Sequence, residues 1–379
     1  MKKERQFEKI LKEIINTPCV VKYEDVLLRS IYKDIKRNYQ ECRITEKEEI
    51  KYLYALPSRP ETVYGILRIP EVDNIPAKIP ILTSRPEIVF SIHTDRHGFY
   101  VVDEDAVVFD KDEFSRSHTI SPYSIREICN RYTNEKVYAY NPLTGEILAR
   151  GKLLGTCSPK YITYIDDNRI KLTLAYYVQW FEKKDKLRED TPVAFEPFLI
   201  ISPTGYIYGQ IDNAISISVI LALLKDKKYA SLFREKISLI FTTREEIGES
   251  WKCLKHFYEE ILKTQDVPLI VLDTRPYRKE EKDKIEEGEV IIRSRDALSE
   301  YDQNFVSDIV RILRNNNIPY EIYDKKEGKT ELGRLLQNGV NVRGITLQIP
   351  TIYQHKLHEM TTQRAVENYM NAIISIINS

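Results

Sequence analysis

The strongest constraint on the fold is a run of consecutive apolar residues that ends in an acid. Residues 268–273 read Pro-Leu-Ile-Val-Leu-Asp, and no polar residue precedes Asp273 in the run. A strand that is apolar on both faces is typical of a mainly parallel sheet with helices on either side. Further strands are predicted at Lys236–Thr242 and Gly344–Ile349, with residues of helical spacing between them. We therefore predict a three-layer αβα domain of the metallopeptidase (phosphorylase/hydrolase-like) type.

The middle of the chain has a different pattern. Short strand-like runs rich in Val, Ile, Leu and Tyr are separated by turn-forming residues, and they fall at 136–140, 146–151, 161–165 and 170–178. This pattern is typical of a small antiparallel barrel or sandwich. We therefore assign residues 1–104 and 195–379 to the α/β domain and residues 105–194 to an inserted β-barrel.

Composition limits the partners and the compartment. The 379 residues carry 57 basic and 57 acidic side chains, so the formal net charge is zero. A balanced charge argues against nucleic-acid or membrane-surface binding by bulk positive charge. The longest nearly apolar run, at 214–224, is shorter than the ~20 residues of a bilayer span. Five scattered cysteines argue against a disulfide framework or a cysteine zinc site, and the N-terminus lacks an apolar signal-peptide core. We expect a cytoplasmic protein.

Ionisable side chains lie where predicted strands end or where a helix opens. They are His93, Asp95, Asp212, Glu245, Glu246, Asp273 and His355. In open α/β sheets, sites form outside the carboxyl ends of the strands, so these segments are expected to meet at one edge. Imidazoles and carboxylates without cysteine form a nitrogen and oxygen donor set suited to zinc, cobalt or manganese. A carboxylate shared by two ions would hold them about 3.5–4 Å apart, as in two-metal hydrolytic sites.

The adjacent acids Glu245 and Glu246 point to a division of roles. Two neighbouring carboxylates repel each other unless a cation offsets their charge. With one of them bound to a metal ion, the other stays free as a general base for water. Each segment alone also has a simpler interpretation, such as a structural histidine, a solvated turn or a helix N-cap. The prediction of a site therefore depends on all the segments meeting.

These segments resemble, in order along the chain, the motifs of the glutamyl aminopeptidase and endoglucanase family of co-catalytic metallo-aminopeptidases, which includes the tetrahedral aminopeptidases. The family patterns His-x-Asp-x-x-Gly, Gly-x-x-Asp-Asp/Asn and Glu-Glu-Val/Ile-Gly are similar to residues 93–98, 209–213 and 245–248. The patterns Gly-x-Thr-Asp and Ile-Pro-x-Arg-Tyr-x-His-Ser-x-x-Glu resemble residues 328–331 and 349–359. The chain departs from the family where the second pattern continues with Arg and a nearby Gly, which are here Ala214 and Ser216. It also departs where the last two patterns have Asp, Arg and Ser, which are here Glu331, Ile352 and Lys356.

The resemblance implies a role for each residue. The implied ligands are His93, Asp212 and Asp273 for a first ion, and Asp212, Glu246 and His355 for a second. Asp212 would bridge the ions, Glu245 would be the general base, and Asp95 would orient His93 through its second ring nitrogen. The implied activity is release of N-terminal amino acids from peptides, with two divalent ions per subunit, zinc first and cobalt or manganese as alternatives. The barrel would serve dimerisation, within a homo-oligomer between a dimer and a dodecamer.

Two other functions fit the same residues. A metal-dependent deacylase or amidohydrolase shares the fold and the ligands, and a peptide-binding or assembly protein would keep the metal site for structure alone. Peptides with free and blocked N-termini separate the first two, because an aminopeptidase needs the free amine. Four basic residues, Arg96, His97, Lys329 and Lys356, lie in or near the site segments. Their charge would favour acidic substrate side chains, unless they are solvated surface residues.

Overall fold

The computed structural model describes residues 2–39, 41–57, 59–69, 72–83, 86–109, 113–115, 130, 132–166, 169–353 and 357–379. Its α-helices are α1 Lys2–Asn16, α2 Asp25–Ile35, α3 Ala214–Lys225, α4 Lys227–Lys236, α5 Trp251–His256, α6 Lys282–Glu287, α7 Gln303–Asn315, α8 Glu331–Gln337 and α9 Gln363–Ile377, with a π-helical segment at Phe257–Leu262 and a 3-10 turn at Lys279–Glu281. Its strands are β1 Glu41–Lys47, β2 Ile50–Leu56, β3 Arg59–Ile69, β4 Val72–Thr83, β5 Ile88–His93, β6 Phe99–Asp103, β7 Ala106–Phe109, β8 Glu113–Ser115, β9 Lys136–Tyr140, β10 Ile147–Asp166, β11 Arg169–Lys183, β12 Pro192–Phe195, β13 Leu199–Ile201, β14 Tyr206–Gly209, β15 Ile237–Thr242, β16 Leu269–Tyr277, β17 Val290–Arg293, β18 Tyr320–Tyr323, β19 Gly344–Ile352 and β20 Glu359–Thr362.

A mixed sheet of eleven described strands forms the α/β part. The strand order is β1-β2-β15-β5-β16-β19-β20-β14-β13, and β17 joins the sheet beside β19 with β18 at its outer edge. At the centre, β15, β5, β16 and β19 run parallel to one another. Their carboxyl ends therefore face the same edge of the sheet, where sites of open α/β folds form.

Both faces of this sheet are covered, as the apolar run in β16 predicts. Ile270 and Leu272 pack in a core with α1, α2, α3 and α9, whereas Leu269 and Val271 pack in a second core with α5 and α8. Alternate side chains of a strand point to opposite faces, so the two cores lie on opposite sides of the sheet. The predicted three-layer α/β fold is confirmed.

The longest apolar run of the sequence is helix α3. Every residue from Ala214 to Leu224 is buried, and the helix packs against α1. A helix that is apolar all round needs burial on every side. Among the described residues, no helix is long and apolar enough to cross a membrane.

The second unit is a closed barrel. Six of the described strands form a ring in the order β10-β9-β12-β6-β7-β11, β11 pairs back with β10, and β8 adds to β11. The predicted inserted barrel is confirmed as a fold. Its strands run from Phe99 to Phe195, so β6 lies inside the 1–104 segment assigned from the sequence. The domain division at 105 and 194 stays a prediction. Among the described cysteines, Cys157 in β10 is disulfide-bonded and Cys19, Cys42 and Cys253 are free thiols.

The loop at residues 94–98 joins the sheet to the barrel. It leaves the carboxyl end of β5 at His93 and enters β6 at Phe99. Gly98 in this loop has no room for a side chain, because an added Cβ would lie 2.5 Å from Val20 Cγ2 and 2.9 Å from the Val193 carbonyl oxygen. Close backbone approach therefore requires glycine at this position.

Candidate metal centre

His93, Asp212 and Asp273 meet at the carboxyl edge of the sheet. The Nε2 atom of His93 is 3.3 Å from Asp212 Oδ1 and 3.5 Å from Asp273 Oδ1. One ligand atom from each of the three residues lies within 4.8 Å of the other two. Two ligands of one tetrahedral ion, each about 2.0–2.1 Å from it, are about 3.3 Å apart. The spacing of these three side chains therefore fits a shared ion.

The charges of this cluster also fit a cation. His93 and Asp212 are buried, and Asp273 is partly buried. Burial raises the pKa of Asp273, against the opposing hydrogen bond with His93. Burial lowers the pKa of His93, but hydrogen bonds with Asp212 and Asp273 outweigh it and hold this pKa well above its usual range. The two carboxylates thus favour positive charge between them, which a proton on His93 or a metal ion supplies. The nitrogen and oxygen donors suit zinc, cobalt or manganese.

Asp212 is held by its backbone. The N–H groups of Ile211 and Asp212 donate to Glu359 Oε2 at 2.7 and 2.9 Å. Next to it, Asn213 Nδ2 donates to the carbonyl oxygen of Leu272 at 2.6 Å, and the peptide bond between Asp212 and Asn213 is cis. These contacts tie Asp212 to β20 and β16. The sequence gives Glu359 no role beyond its place at the end of the resembling segment.

Asp95 holds the segment that contains the two glutamates. Its Oδ1 accepts the N–H of Glu245 at 3.0 Å, and its Oδ2 accepts the N–H of Glu246 at 2.9 Å. Its Oδ1 also lies 3.7 Å from His93 Nδ1, beyond hydrogen-bond distance. The main contacts of Asp95 are therefore with the Glu-Glu backbone, a role that the sequence did not indicate.

Glu245 and Glu246 lie in different surroundings. Glu245 is partly buried, and desolvation raises its pKa well above its usual range, with His93 opposing and Asp273 and Glu246 adding to the effect. The side chain of Glu246 is only 5% exposed, and its Oε2 lies 2.7 Å from His97 Nε2. Burial therefore favours the protonated form of Glu245 in the metal-free protein.

Arg96 does not face the centre. Its guanidinium donates to the carbonyl oxygens of Ile14, Ile15 and Thr17 at the C-terminal end of α1, and to Cys19 Sγ. Cations are stabilising at a helix C-terminus, so Arg96 has a structural role and supplies no charge for an acidic substrate. Lys329 is exposed, whereas Lys356 lies outside the described residues.

Glu331, where the chain departs from the family pattern, is not part of the cluster of His93, Asp212 and Asp273. Glu331 begins α8, is buried against the sheet, and accepts hydrogen bonds from Ser91 Oγ at 2.6 Å and from Thr242 Oγ1. Burial raises its pKa, and the three hydroxyls of Ser91, Thr242 and Ser250 oppose the rise. His355, predicted as a ligand of the second ion, lies outside the described residues.

A family model described as M42 glutamyl aminopeptidase matches residues 181–371. The structure of the Pyrococcus horikoshii TET1 peptidase is similar at 16% identity, with 98% of this chain and 99% of that chain covered and a TM-score of 0.66. An aminopeptidase from the archaeon Desulfurococcus kamchatkensis is 15% identical, with 100% and 95% covered and a TM-score of 0.68. An endoglucanase from Thermotoga maritima is 16% identical, with 97% and 96% covered and a TM-score of 0.59. No curated protein is significantly similar to the chain in sequence.

Proposed function

The chain belongs to the M42 glutamyl aminopeptidase family and is a peptide hydrolase, and from this membership we propose that it is a dinuclear metal-dependent aminopeptidase. It releases N-terminal amino acids from peptides. The observation that carries the proposal is the group of His93, Asp212 and Asp273, whose ligand atoms lie within 4.8 Å of one another. Such a set of nitrogen and oxygen donors, with His93 and Asp212 buried and Asp273 partly buried, is the arrangement expected of a catalytic metal centre.

The protein residues divide between metal binding and proton transfer. His93, Asp212 and Asp273 would hold the first ion, and Asp212, Glu246 and His355 would hold the second, with zinc as the first candidate and cobalt or manganese as alternatives. When bound, divalent ions polarise the scissile carbonyl, hold the free α-amine and lower the pKa of water.

Glu245 moves the proton. It accepts a proton from the water whose oxygen attacks the peptide carbonyl carbon, and it delivers that proton to the leaving amine nitrogen as the C–N bond breaks. Burial raises the pKa of Glu245 in the metal-free protein, and cations bound to the neighbouring carboxylates would oppose this rise. Asp95 keeps the backbone of Glu245 in place, because its carboxylate accepts the N–H of this residue at 3.0 Å.

We also propose a homo-oligomer in which the barrel carries the contact between subunits. Large apolar side chains of the barrel are exposed at Leu154, Tyr177 and Phe181. Large apolar side chains left exposed in this way would be covered if the barrel packed against another subunit. The Pyrococcus horikoshii TET1 peptidase can assemble into a tetrahedron or a large octahedral shell.

Metal quantification combined with a peptide panel tests the proposed activity. The full chain is expected to bind two divalent ions and to hydrolyse dipeptides to pentapeptides with free N-termini, but not the same peptides with acetylated N-termini. Preference for the acetylated substrates would instead indicate a deacylase. Binding of two ions with no hydrolysis above that of Glu245→Gln would indicate a peptide-binding or assembly protein.

A further inference from the structure

Two buried acids accept three consecutive backbone N–H groups of the segment that contains the two glutamates. Asp95 accepts the N–H groups of Glu245 and Glu246. The N–H group before these, that of Arg244, donates to Glu24 Oε1 at 3.2 Å. Glu24 is 5% exposed and lies 220 residues earlier in the chain. A carboxyl buried to this extent needs specific partners, and the backbone of this segment supplies one of them.

The two donors to Glu24 Oε1 share an uncommon backbone conformation. The second donor is the N–H group of Lys22, at 2.9 Å. The φ angles of Lys22 and Arg244 are 70° and 61°, in the left-handed region that residues other than glycine seldom adopt. Such conformations persist where surrounding contacts hold them in place. One carboxyl oxygen of Glu24 thus stabilises two strained turns, one before α2 and one directly before Glu245.

Glu24 does not use its side chain for the helix that it precedes. It is the residue immediately before α2, where a side-chain acceptor commonly bonds to the first N–H groups of the helix. The Glu24 side chain makes no such bond, although the structure describes the whole first turn of α2. Capping of α2 therefore does not explain this buried acid, whereas its contacts with Lys22 and Arg244 do.

We propose that Glu24 is a positioning residue for Glu245, because its carboxyl holds Arg244 in the left-handed conformation and so sets the direction of the next side chain. This role rests on the proposed function, in which Glu245 is the general base. Glu24 acts only through the backbone of Arg244. A reacting group that is displaced by about 1 Å can lose about 100-fold in rate, so a small change in this turn is sufficient to affect catalysis.

Hydrogen–deuterium exchange of the chelator-treated full chain tests the contact without substrate or metal ions. We compare Glu24→Met, which has no acceptor, with Glu24→Gln, whose amide oxygen is one. Burial and Asp95 raise the pKa of Glu24 to about 8, so the neutral glutamine also matches its charge near pH 7. We expect the peptide that contains residues 244–246 to exchange faster in Glu24→Met and close to the wild-type rate in Glu24→Gln. Asp302→Ala is the matched control, because Asp302 accepts a backbone N–H group at the start of α7, and it should leave this peptide unchanged.

Steady-state kinetics on peptides with free N-termini test the consequence for catalysis, below the unfolding transition of each variant. We expect Glu24→Met to lower kcat by up to about 100-fold, with little change in KM or in the Zn²⁺ affinity of the first site. This separation distinguishes a displaced base from a general loss of structure, which would change all three values. Glu24→Gln should recover most of the wild-type kcat, and Asp302→Ala should keep it.

Several results would overturn the proposal. Wild-type exchange or wild-type kcat in Glu24→Met would remove the positioning role and leave the proposed function intact. A Glu24→Gln variant as impaired as Glu24→Met would show that the charge of Glu24 acts, and that the accepted N–H groups do not. A wild-type chain that hydrolyses no peptide would remove the proposed function itself, whereas the exchange rates would still decide whether Glu24 holds the segment. If Glu24→Met shows no unfolding transition, Glu24→Asp, whose shorter side chain withdraws the carboxyl, takes its place in both measurements.

Discussion

Glu359 Oε2 accepts the backbone N–H of Asp212 at 2.9 Å, although Glu359 lies 147 residues further along the chain, in β20. This bond holds the backbone of Asp212, the residue that we assign to both ions. The same oxygen accepts the N–H of Ile211 at 2.7 Å. Two backbone donors therefore depend on a single carboxylate oxygen. Each would be left without this acceptor if the side chain were shortened.

We expect Glu359→Ala to destabilise the fold by about 2–4 kcal/mol, because a buried donor that loses its partner costs about 1–3 kcal/mol. Glu359→Gln keeps an oxygen at the same place and should cost less than half as much. Urea unfolding of the chelator-treated variants gives the free energies. Equal losses for Ala and Gln would contradict the assigned hydrogen bonds.

Glu245→Gln should lower kcat about 10²–10⁴-fold, because the amide cannot accept the proton of the attacking water. Metal content should stay at the wild-type value, since Glu245 is not assigned as a ligand. Steady-state kinetics and elemental analysis on the same preparation measure both quantities. A variant that loses its metal ions as well would point to a ligand role for Glu245.

Asp95→Asn should disorder the Glu-Glu segment. Both carboxylate oxygens of Asp95 accept backbone N–H groups, and the asparagine side chain offers one acceptor while its NH₂ group faces a second donor. We expect a loss of about 1.5–3 kcal/mol in unfolding free energy and a lower kcat/KM. Asp103→Asn, an exposed acid of the barrel, is the control and should change neither value. Wild-type stability in Asp95→Asn would show that one acceptor is enough.

Glu24 should make the stability of the metal-free protein fall as the pH rises. Burial and the carboxylate of Asp95 raise the pKa of Glu24 to about 8. The folded state therefore binds more protons than the unfolded state between the ordinary pKa of a glutamate, about 4.3, and 8, and the stability is lost through this window.

Glu24→Gln removes this proton exchange. Its amide oxygen can still accept the N–H groups of Lys22 and Arg244, which both donate to Glu24 Oε1. We expect the variant to match the wild type at pH 5 and to be more stable at pH 8 by a few kcal/mol. Urea unfolding at both pH values measures the difference. Parallel stability curves for the two proteins would exclude an uncharged Glu24 in the fold.

Metal removal should destabilise the wild type. An ion present at 100–1,000 times its Kd stabilises the folded state by about 2.7–4.1 kcal/mol. We expect chelation to lower the unfolding midpoint and Zn²⁺ to restore it. In Asp273→Asn, which lacks one charge of the cluster, the effect of Zn²⁺ should be much smaller. An identical response of the variant would place the stabilising ion elsewhere.

The centre of the sheet could be predicted because its sequence pattern is local. Residues 269–272 are apolar without interruption, and such a strand has few alternatives to burial on both faces. The start of the barrel could not be predicted in the same way. Residues 99–103 read Phe-Tyr-Val-Val-Asp, which fits a strand of either unit, and the choice depends on pairing with β7 and β12.

The sequence predicts the part of the site whose residues lie where strands end or where a helix begins. The structure brings His93, Asp212 and Asp273 together, as the convergence of strand ends indicates. The role of Glu359 depends on contacts between segments distant in sequence, and no local pattern identifies it. Arg96 lies next to Asp95 in sequence, but its side chain points towards α1 and away from the metal centre. Closeness in sequence therefore did not predict its position.

The short loop from His93 to Phe99 has a mechanical consequence. A connection of five residues allows little relative movement of the two units, and the close packing around Gly98 restricts this movement further. A rigid-body rotation of the barrel relative to the sheet would therefore move the imidazole of His93 away from Asp212 and Asp273. The position of the barrel is therefore coupled to the position of His93, and contacts that restrict movement of the barrel would also restrict movement of this imidazole.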